Sequence, residues 1–341
     1  MPSNLSWHRL LIAVALLATA CAPAKRDYEH SLHTFGTIVS VSFFSVSEED
    51  NAHALEKLEA FFSEVDDNWY PWAAGELQRI NQSIAAAEAV VVSNRLKSVI
   101  QAATYYEIKS QGRFNAGLGR VSELWGLHDF ANPPTSVPDP AELATLLGTA
   151  PRLESLQWHD EQLTSRNTNV MIDLGGIAKG SVLEYCVAML DSLGIENAII
   201  NIGGDLVVKG QPGDRKARIG IRSPINGAPV AGLDVGDGEA VFTSGTYERY
   251  VEIDGAKYPH IFDPSTGYPV THTISVTVID NDPQRADAAA TALLVGGVDE
   301  FDLLVDSLQL SYALLIDVSG DTRLTPAMAE RLHWIESADE Q

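Results

Sequence analysis

A carboxylate and an alcohol stand four residues apart in the segment Ala286-Asp287-Ala288-Ala289-Ala290-Thr291. On a helix that spacing turns the oxygens of Asp287 and Thr291 the same way. A carboxylate beside a hydroxyl suits a hard cation such as Mg2+, with carbonyls and water completing its shell. The same residues also read as an aspartate serving free N–H groups near a helix start. The densest glycine signal is Ile172-Asp173-Leu174-Gly175-Gly176-Ile177-Ala178-Lys179-Gly180. Here a strand delivers Asp173 to a glycine turn, and the helix that follows offers unpaired N–H groups and the Lys179 ammonium to an anion. A tight turn with no ligand is the plainer reading, and neither GxGxxG nor GxxxxGK[ST] is present. Asn201-Ile202-Gly203-Gly204-Asp205 ends a second apolar strand, and Thr243-Ser244-Gly245-Thr246-Tyr247 follows. Tyr258-Pro259-His260-Ile261-Phe262 then runs into Asp263-Pro264-Ser265-Thr266-Gly267, a turn by its own chemistry. That turn puts the His260 imidazole at a strand end, as a catalyst or as a hydrogen-bonded structural residue.

The elements that must position these groups are legible from periodicity. Residues 39–46 are β-branched and aromatic and predict a strand. Residues 52–65 space Leu55, Leu58, Phe61, Phe62 and Val65 at three and four, an amphipathic helix, and residues 95–110 repeat the pattern. Four prolines make 131–140 a loop and a candidate lobe boundary. Residues 170–174 read as a short strand, 179–193 as a helix and 198–202 as a strand. Further strands are expected at 217–222, 240–243, 247–253 and 274–280, then helices at 287–295 and around 299–307, and a strand at 311–317. Long β stretches separated by turns favour an α+β fold over a doubly wound sheet.

Composition narrows the partners. The 341 residues carry 23 Lys+Arg against 46 Asp+Glu, a formal net charge of −23. Such a surface repels phosphate backbones, so nucleic acid is excluded as a partner, and a phosphate-bearing ligand must be held by local devices. Hydrophobic residues at 45% supply a real core. The apolar run from Leu10 to Ala20 follows His8 and Arg9. It is too short to span a bilayer, which takes about 20 residues, and suits a secretory signal. Leu17-Ala18-Thr19-Ala20-Cys21 resembles a bacterial lipobox. Residues 1–20 are then a signal peptide, Cys21 the lipidated residue and 21–30 a polar tether, with residues 31–335 as one domain. Cys186, left without a partner, is expected to be buried.

Taken in order, these stretches resemble the ApbE family, the FAD:protein FMN transferases. The resemblance also includes His33-Thr34-Phe35-Gly36-Thr37, Glu76-Leu77-Gln78-Arg79-Ile80-Asn81, Gly112-Arg113-Phe114-Asn115 and Leu124-Trp125-Gly126, and runs from about residue 33 to 318. It implies a two-lobed, T-fold-related α+β architecture with mainly antiparallel sheets and the flavin site between lobes. It also implies Mg2+-dependent transfer of the FMN half of FAD onto a Thr or Ser hydroxyl of a client protein, with release of AMP. The metal would be held by Asp287, Thr291 and the Gly176 carbonyl, with the Ala290 carbonyl as a further candidate. The flavin nucleotide would meet Phe35, Trp72 (or Tyr70), Arg113, Phe114, Asn115, Asp173, Lys179, His260 and Ile261. His260 and Asp287 are the candidate proton-transfer groups. The chain departs from the family pattern at Phe35 for Met, at Asn115 for Asp and at Gly175-Gly176 for Ser-Ala or Ser-Thr. Clients in this family are flavin-carrying subunits of sodium-pumping NADH:quinone oxidoreductase (Nqr), Rnf complexes and related electron-transfer proteins. The implied place is the periplasmic face of the inner membrane, lipid-anchored. With water in place of the client hydroxyl, the same site would be an FAD pyrophosphatase. With no turnover the chain would be an FAD-binding lipoprotein.

Overall fold

The computed structural model describes residues 24–129, 131–213, 216–222 and 227–335. Cys21 and the expected signal segment lie outside these residues.

The helices are α1 (Glu48–Asn68), α2 (Glu76–Ala85), α3 (Asn94–Lys109), α4 (Gly119–Trp125), α5 (Pro140–Gly148), α6 (Ala178–Ser192), α7 (Pro283–Leu308) and α8 (Pro326–Arg331). The strands in the first half are β1 (Arg26–Thr34), β2 (Thr37–Val46), β3 (Val90–Val91), β4 (Leu156–His159) and β5 (Gln162–Ser165). Then come β6 (Ala198–Ile202), β7 (Asp205–Lys209), β8 (Ala217–Arg222), β9 (Pro229–Val235), β10 (Ala240–Gly245), β11 (Tyr250–Ile253) and β12 (Ala256–Pro259). Last are β13 (Thr273–Asp280), β14 (Tyr312–Asp317), β15 (Thr322–Leu324) and β16 (His333–Trp334).

The main sheet runs β1-β2-β6-β7-β10-β13-β14-β15, with every neighbouring pair antiparallel. Period-two alternation splits its side chains between two cores. Ile200, Val207, Phe242, Val276, Val278 and Leu315 face the helical layer of α1, α3, α6 and α7. Leu206, Val208, Val241, Ile279, Leu314 and Ile316 face the opposite way, onto the small β16-β9-β8 sheet and α8. With both faces covered, β13 is buried at every residue but Ile274, its polar residues included, and β14 is mostly apolar. A third cluster gathers Leu118, Val121, Trp125, Leu143, Val251, Ile253 and Phe262 around α4, α5 and the β11–β12 hairpin. The proline-rich stretch joins α4 to α5, which both belong to this cluster, so it runs within the lobe rather than between lobes.

The structure departs from the sequence reading at two places. From Arg26 the expected tether is edge strand β1, paired with β2 from Arg26↔Val46 to Thr34↔Thr37. The expected strand at 170–174 is not one, because its partner is an irregular loop: Met171 and Asp173 donate N–H to Gly117 and Ala116, with a single bridge Leu118↔Met171. The two expected C-terminal helices are both present, as the two halves of α7 on either side of a kink at Gly297 (φ 63°, ψ −164°). Only glycine adopts that conformation readily. Cys186 is fully buried, as expected, and burial pushes its thiol up.

On α3, Glu107 is wholly buried; its Oε2 accepts the Leu153 N–H at 2.8 Å while Oε1 has no partner. Burial raises its pKa from 4.5 to about 7. The folded state therefore holds a proton that the unfolded chain has lost. The stabilising contribution is complete below 4.5 and disappears as pH rises through about 7. Chemical denaturation of wild type between pH 5 and 8 should show stability falling with pH, and Glu107→Gln should flatten that fall.

Candidate functional site

The chemistry-bearing motifs converge at one end of the main sheet, where two helix starts touch. A Cβ placed on Gly180 would lie 2.4 Å from the Pro283 carbonyl oxygen, so α6 and α7 meet there backbone to backbone. One turn into α7, Asp287 turns its carboxylate onto the first turn of α6. Its Oδ2 accepts the Gly180 N–H at 2.8 Å, and the carboxylate also receives the Lys179 backbone N–H. A negative group at a helix N-terminus is favoured by both the free amides and the macrodipole. Asp287 is nevertheless only 5% exposed. Burial pushes its pKa up to about 7, opposed by the Lys179 ammonium and reinforced by the nearby Asp205 charge.

Thr291 lies one turn further along α7, its Oγ1 3.2 Å from Ser244 Oγ at the end of β10. A Cβ on Gly176 would sit 3.1 Å from that Thr291 hydroxyl and 3.1 Å from the Phe114 ring. The double-glycine bend and the acid–alcohol pair therefore occupy one patch, with buried Ala290 on the same turn. Among the described residues no cluster of three or more His, Cys, Asp or Glu forms a metal cage. The donor set here has one carboxylate, one hydroxyl and backbone carbonyls, all oxygen.

The segment leading to the bend is held by side chains in place of a strand. Asn81 clamps Ile172 from both sides, accepting its N–H at 2.7 Å and donating to its carbonyl at 2.9 Å. Asp173 follows, with Oδ1 accepting the Gly175 N–H at 2.9 Å. Burial raises its pKa, and that amide opposes the rise. Trp72 stacks on His128 with centroids 5.4 Å apart and meets Tyr70 edge-on at 5.6 Å. The Trp72 indole N–H is buried without a partner, and Asp173 is within electrostatic reach of the Tyr70 hydroxyl.

Lys179 projects from the first turn of α6 and forms an ion pair with Asp205. Burial disfavours its charge, but the Asp205 and Asp287 carboxylates outweigh this and hold its pKa above the ordinary lysine value. His260 follows β12, with Nδ1 3.1 Å from the Arg249 carbonyl oxygen. That oxygen only accepts, so Nδ1 carries the proton and Nε2 keeps its lone pair. Burial lowers the His260 pKa to about 4, which keeps the ring neutral near pH 7.

The remaining expected flavin contacts are positioned differently. Arg113 is forked onto Glu300 of α7 (Nε to Oε2, 2.6 Å) and reaches Asp263 at 3.5 Å. Phe114 is buried beneath the glycine bend. Asn115 donates to Pro151 and accepts from Gly117, so its amide braces the loop. Phe35 occupies the β1–β2 turn, half-buried and edge-on to Phe62 at 5.7 Å. Ile261 packs on the main core. The sequence pattern assigns no role to Asn81, Asp205 or Ser244, although all three lie within the family-like motifs, and only pairing in space reveals what they do.

The ApbE family pattern matches residues 35–315. The chain belongs to the ApbE family. It is 34% identical over 318 residues to the FAD:protein FMN transferase of Rhodobacter capsulatus, an alignment covering 93% of this chain and 60% of that longer protein. It is 29% identical to the FAD:protein FMN transferase of Vibrio cholerae serotype O1, covering 91% of this chain and 93% of that one. Among solved structures, the ApbE protein of Thermotoga maritima superposes with a TM-score of 0.82 at 28% identity, over 90% of this chain and 99% of its own. The flavin transferase ApbE of Vibrio cholerae gives 0.79 at 27% identity over the same shares. The ApbE fold thus carries the expected mixed α/β architecture with mainly antiparallel sheets.

The helix-to-helix contact that seats Asp287 is testable. Gly180→Ala forces its methyl into the Pro283 carbonyl. It should cost about 1–3 kcal/mol, typical of an overpacked core, read as a lowered midpoint in thermal or denaturant unfolding.

Proposed function

We propose that this ApbE-family chain transfers the FMN moiety of FAD onto a Ser or Thr hydroxyl of a client protein. The client oxygen bonds to the phosphorus of the FMN half, the bond from that phosphorus to the bridging oxygen breaks, and AMP leaves with that oxygen. The observation that carries this reading is the meeting of the Gly175–Gly176 bend with Asp287 and Thr291 on touching helix starts. Family membership points the same way.

The donor chemistry fits Mg2+. An oxygen-only set with a buried carboxylate whose charge is incompletely compensated is a hard-cation environment. Asp287, Thr291 and the Gly176 carbonyl would hold the ion, with Ala290 as a further carbonyl. When bound, it supplies Lewis-acid neutralisation of diphosphate charge. Lys179 and the N-terminal end of the α6 dipole supply local positive potential in a chain whose net charge is −23. Neutral His260 offers Nε2 to the proton of the client hydroxyl and, with a pKa of about 4, releases that proton readily. The exposed Tyr70 and the Trp72–His128 stack offer aromatic faces to a flavin or adenine ring.

Clients of this kind are electron-transfer subunits of the Nqr and Rnf type. The lipobox-like segment 17–21, ending in Cys21, supports a lipid-anchored place on the periplasmic face of the inner membrane. No helix among the described residues is long and apolar enough to cross a membrane.

Incubation with FAD, Mg2+ and a flavin-carrying client domain should give flavin fluorescence on the client band and stoichiometric AMP. Free FMN without labelled client would make the chain a pyrophosphatase, and FAD retained without AMP would make it a binding protein. Asp287→Asn should lower transfer by about 10²- to 10³-fold while thermal stability holds or rises, because a buried charge is removed. Cys21→Ser should move the protein from the membrane fraction to the soluble fraction, and unchanged membrane association would remove the anchor.

A further inference from the structure

Lys179 stands between two carboxylates, and they are not equivalent. Asp205 is 4% exposed and both its oxygens are engaged. Oδ1 accepts the Thr243 N–H at 2.8 Å and Oδ2 pairs with the Lys179 ammonium. The Thr243 bond has a structural origin. The β7–β10 ladder ends at Leu206↔Val241, and the next free amide of β10 is taken by the Asp205 side chain. Asp205 is thereby fixed by backbone on one side and free to fix a cation on the other. Asp287, the second carboxylate, is held by the α6 amides rather than by the Lys179 side chain, which acts on it only through its field. Were the Asp205 charge absent, the strongest carboxylate field left at the partly exposed ammonium would be that of Asp287, ahead of Glu248.

We infer that Asp205 is a positioning residue that keeps the Lys179 ammonium off Asp287, leaving that carboxylate open to a divalent cation. The inference rests on the metal-site reading of Asp287 given above. It makes Asp205 the reason a lysine and a cation site coexist a few residues apart. Without that anchor the lysine would act as an internal competitor for the metal. Outer-shell partners of this kind typically change metal affinity 10- to 100-fold when removed.

The test is direct Mn2+ binding, followed by the paramagnetic signal of free Mn2+, with FAD at a concentration that saturates each variant. Asp205→Asn retains an oxygen for the Thr243 amide and removes only the charge. It should weaken Mn2+ binding roughly 10- to 100-fold. Adding Lys179→Met to that variant removes the competitor and should restore Mn2+ binding toward wild type. A purely structural role for Asp205 predicts the reverse, since a second core substitution cannot repair a damaged strand end. Unchanged binding in Asp205→Asn, or no recovery in the double variant, overturns the role given to Asp205. Wild type that binds no Mn2+ overturns instead the metal-site reading beneath it.

Discussion

The site depends on one contact: the carboxylate of Asp287 taking the first amides of α6 across the place where Gly180 meets Pro283. Without a side chain at 180 the helix starts approach closely enough for a carboxylate one turn into α7 to reach α6 amides. That bond seats the acid and, through the following turn, Thr291. It also orients α6 so that the glycine bend preceding it lies against the same hydroxyl. Two sequence segments 107 residues apart are thereby fixed by one hydrogen-bonded junction, and the surrounding alanines allow the close packing. Ala286, Ala288, Ala289 and Ala290 are all fully buried.

The junction is electrostatically incomplete. Two amides and a distant ammonium do not fully offset the burial of Asp287, and its raised pKa records the shortfall. A protein with twice as many acids as bases could hardly leave such a group near a diphosphate unless positive charge were supplied locally. Lys179 supplies part, steadied by Asp205, and α6 supplies another part through its dipole. A divalent cation held by the oxygen-only donor set would supply the remainder. The His260 ring is left neutral by the same burial, so the positive field is concentrated on Lys179 and the helix terminus.

Much of this was legible in the sequence, and the exceptions share a cause. The strands at 198–202, 217–222, 240–243, 274–280 and 311–317 and the helices around 52–65, 95–110 and 179–193 follow from local periodicity, which reports which face is buried. Asp287 and Thr291 follow from helical spacing. Residues 170–174 misled because an apolar run looks the same whether its partner is a strand or a loop plus the Asn81 amide. The two helices expected after 287 are there, one on each side of the kink at Gly297. The roles of Asn81, Asp205 and Ser244 depend on partners 91, 26 to 38 and 47 residues distant, and no local pattern encodes those.

The break at Gly297 divides α7 between two tasks. The first half carries the site; it ends where the Val295 carbonyl, freed by the kink, is met by His272 Nε2 at 3.1 Å. A Cβ at 297 would strike that imidazole at 2.6 Å, so ring and glycine are fitted to each other. The second half carries Glu300, whose carboxylate holds Arg113, which in turn reaches Asp263 in the turn after His260. The two halves thus serve the site in different ways. One brings the acid and the alcohol, and the other, through Arg113, tethers the segment bearing the imidazole. A straight helix would continue in one direction past residue 296. The glycine lets one stretch of chain both build the candidate metal patch and fix the loop that presents His260 beside it.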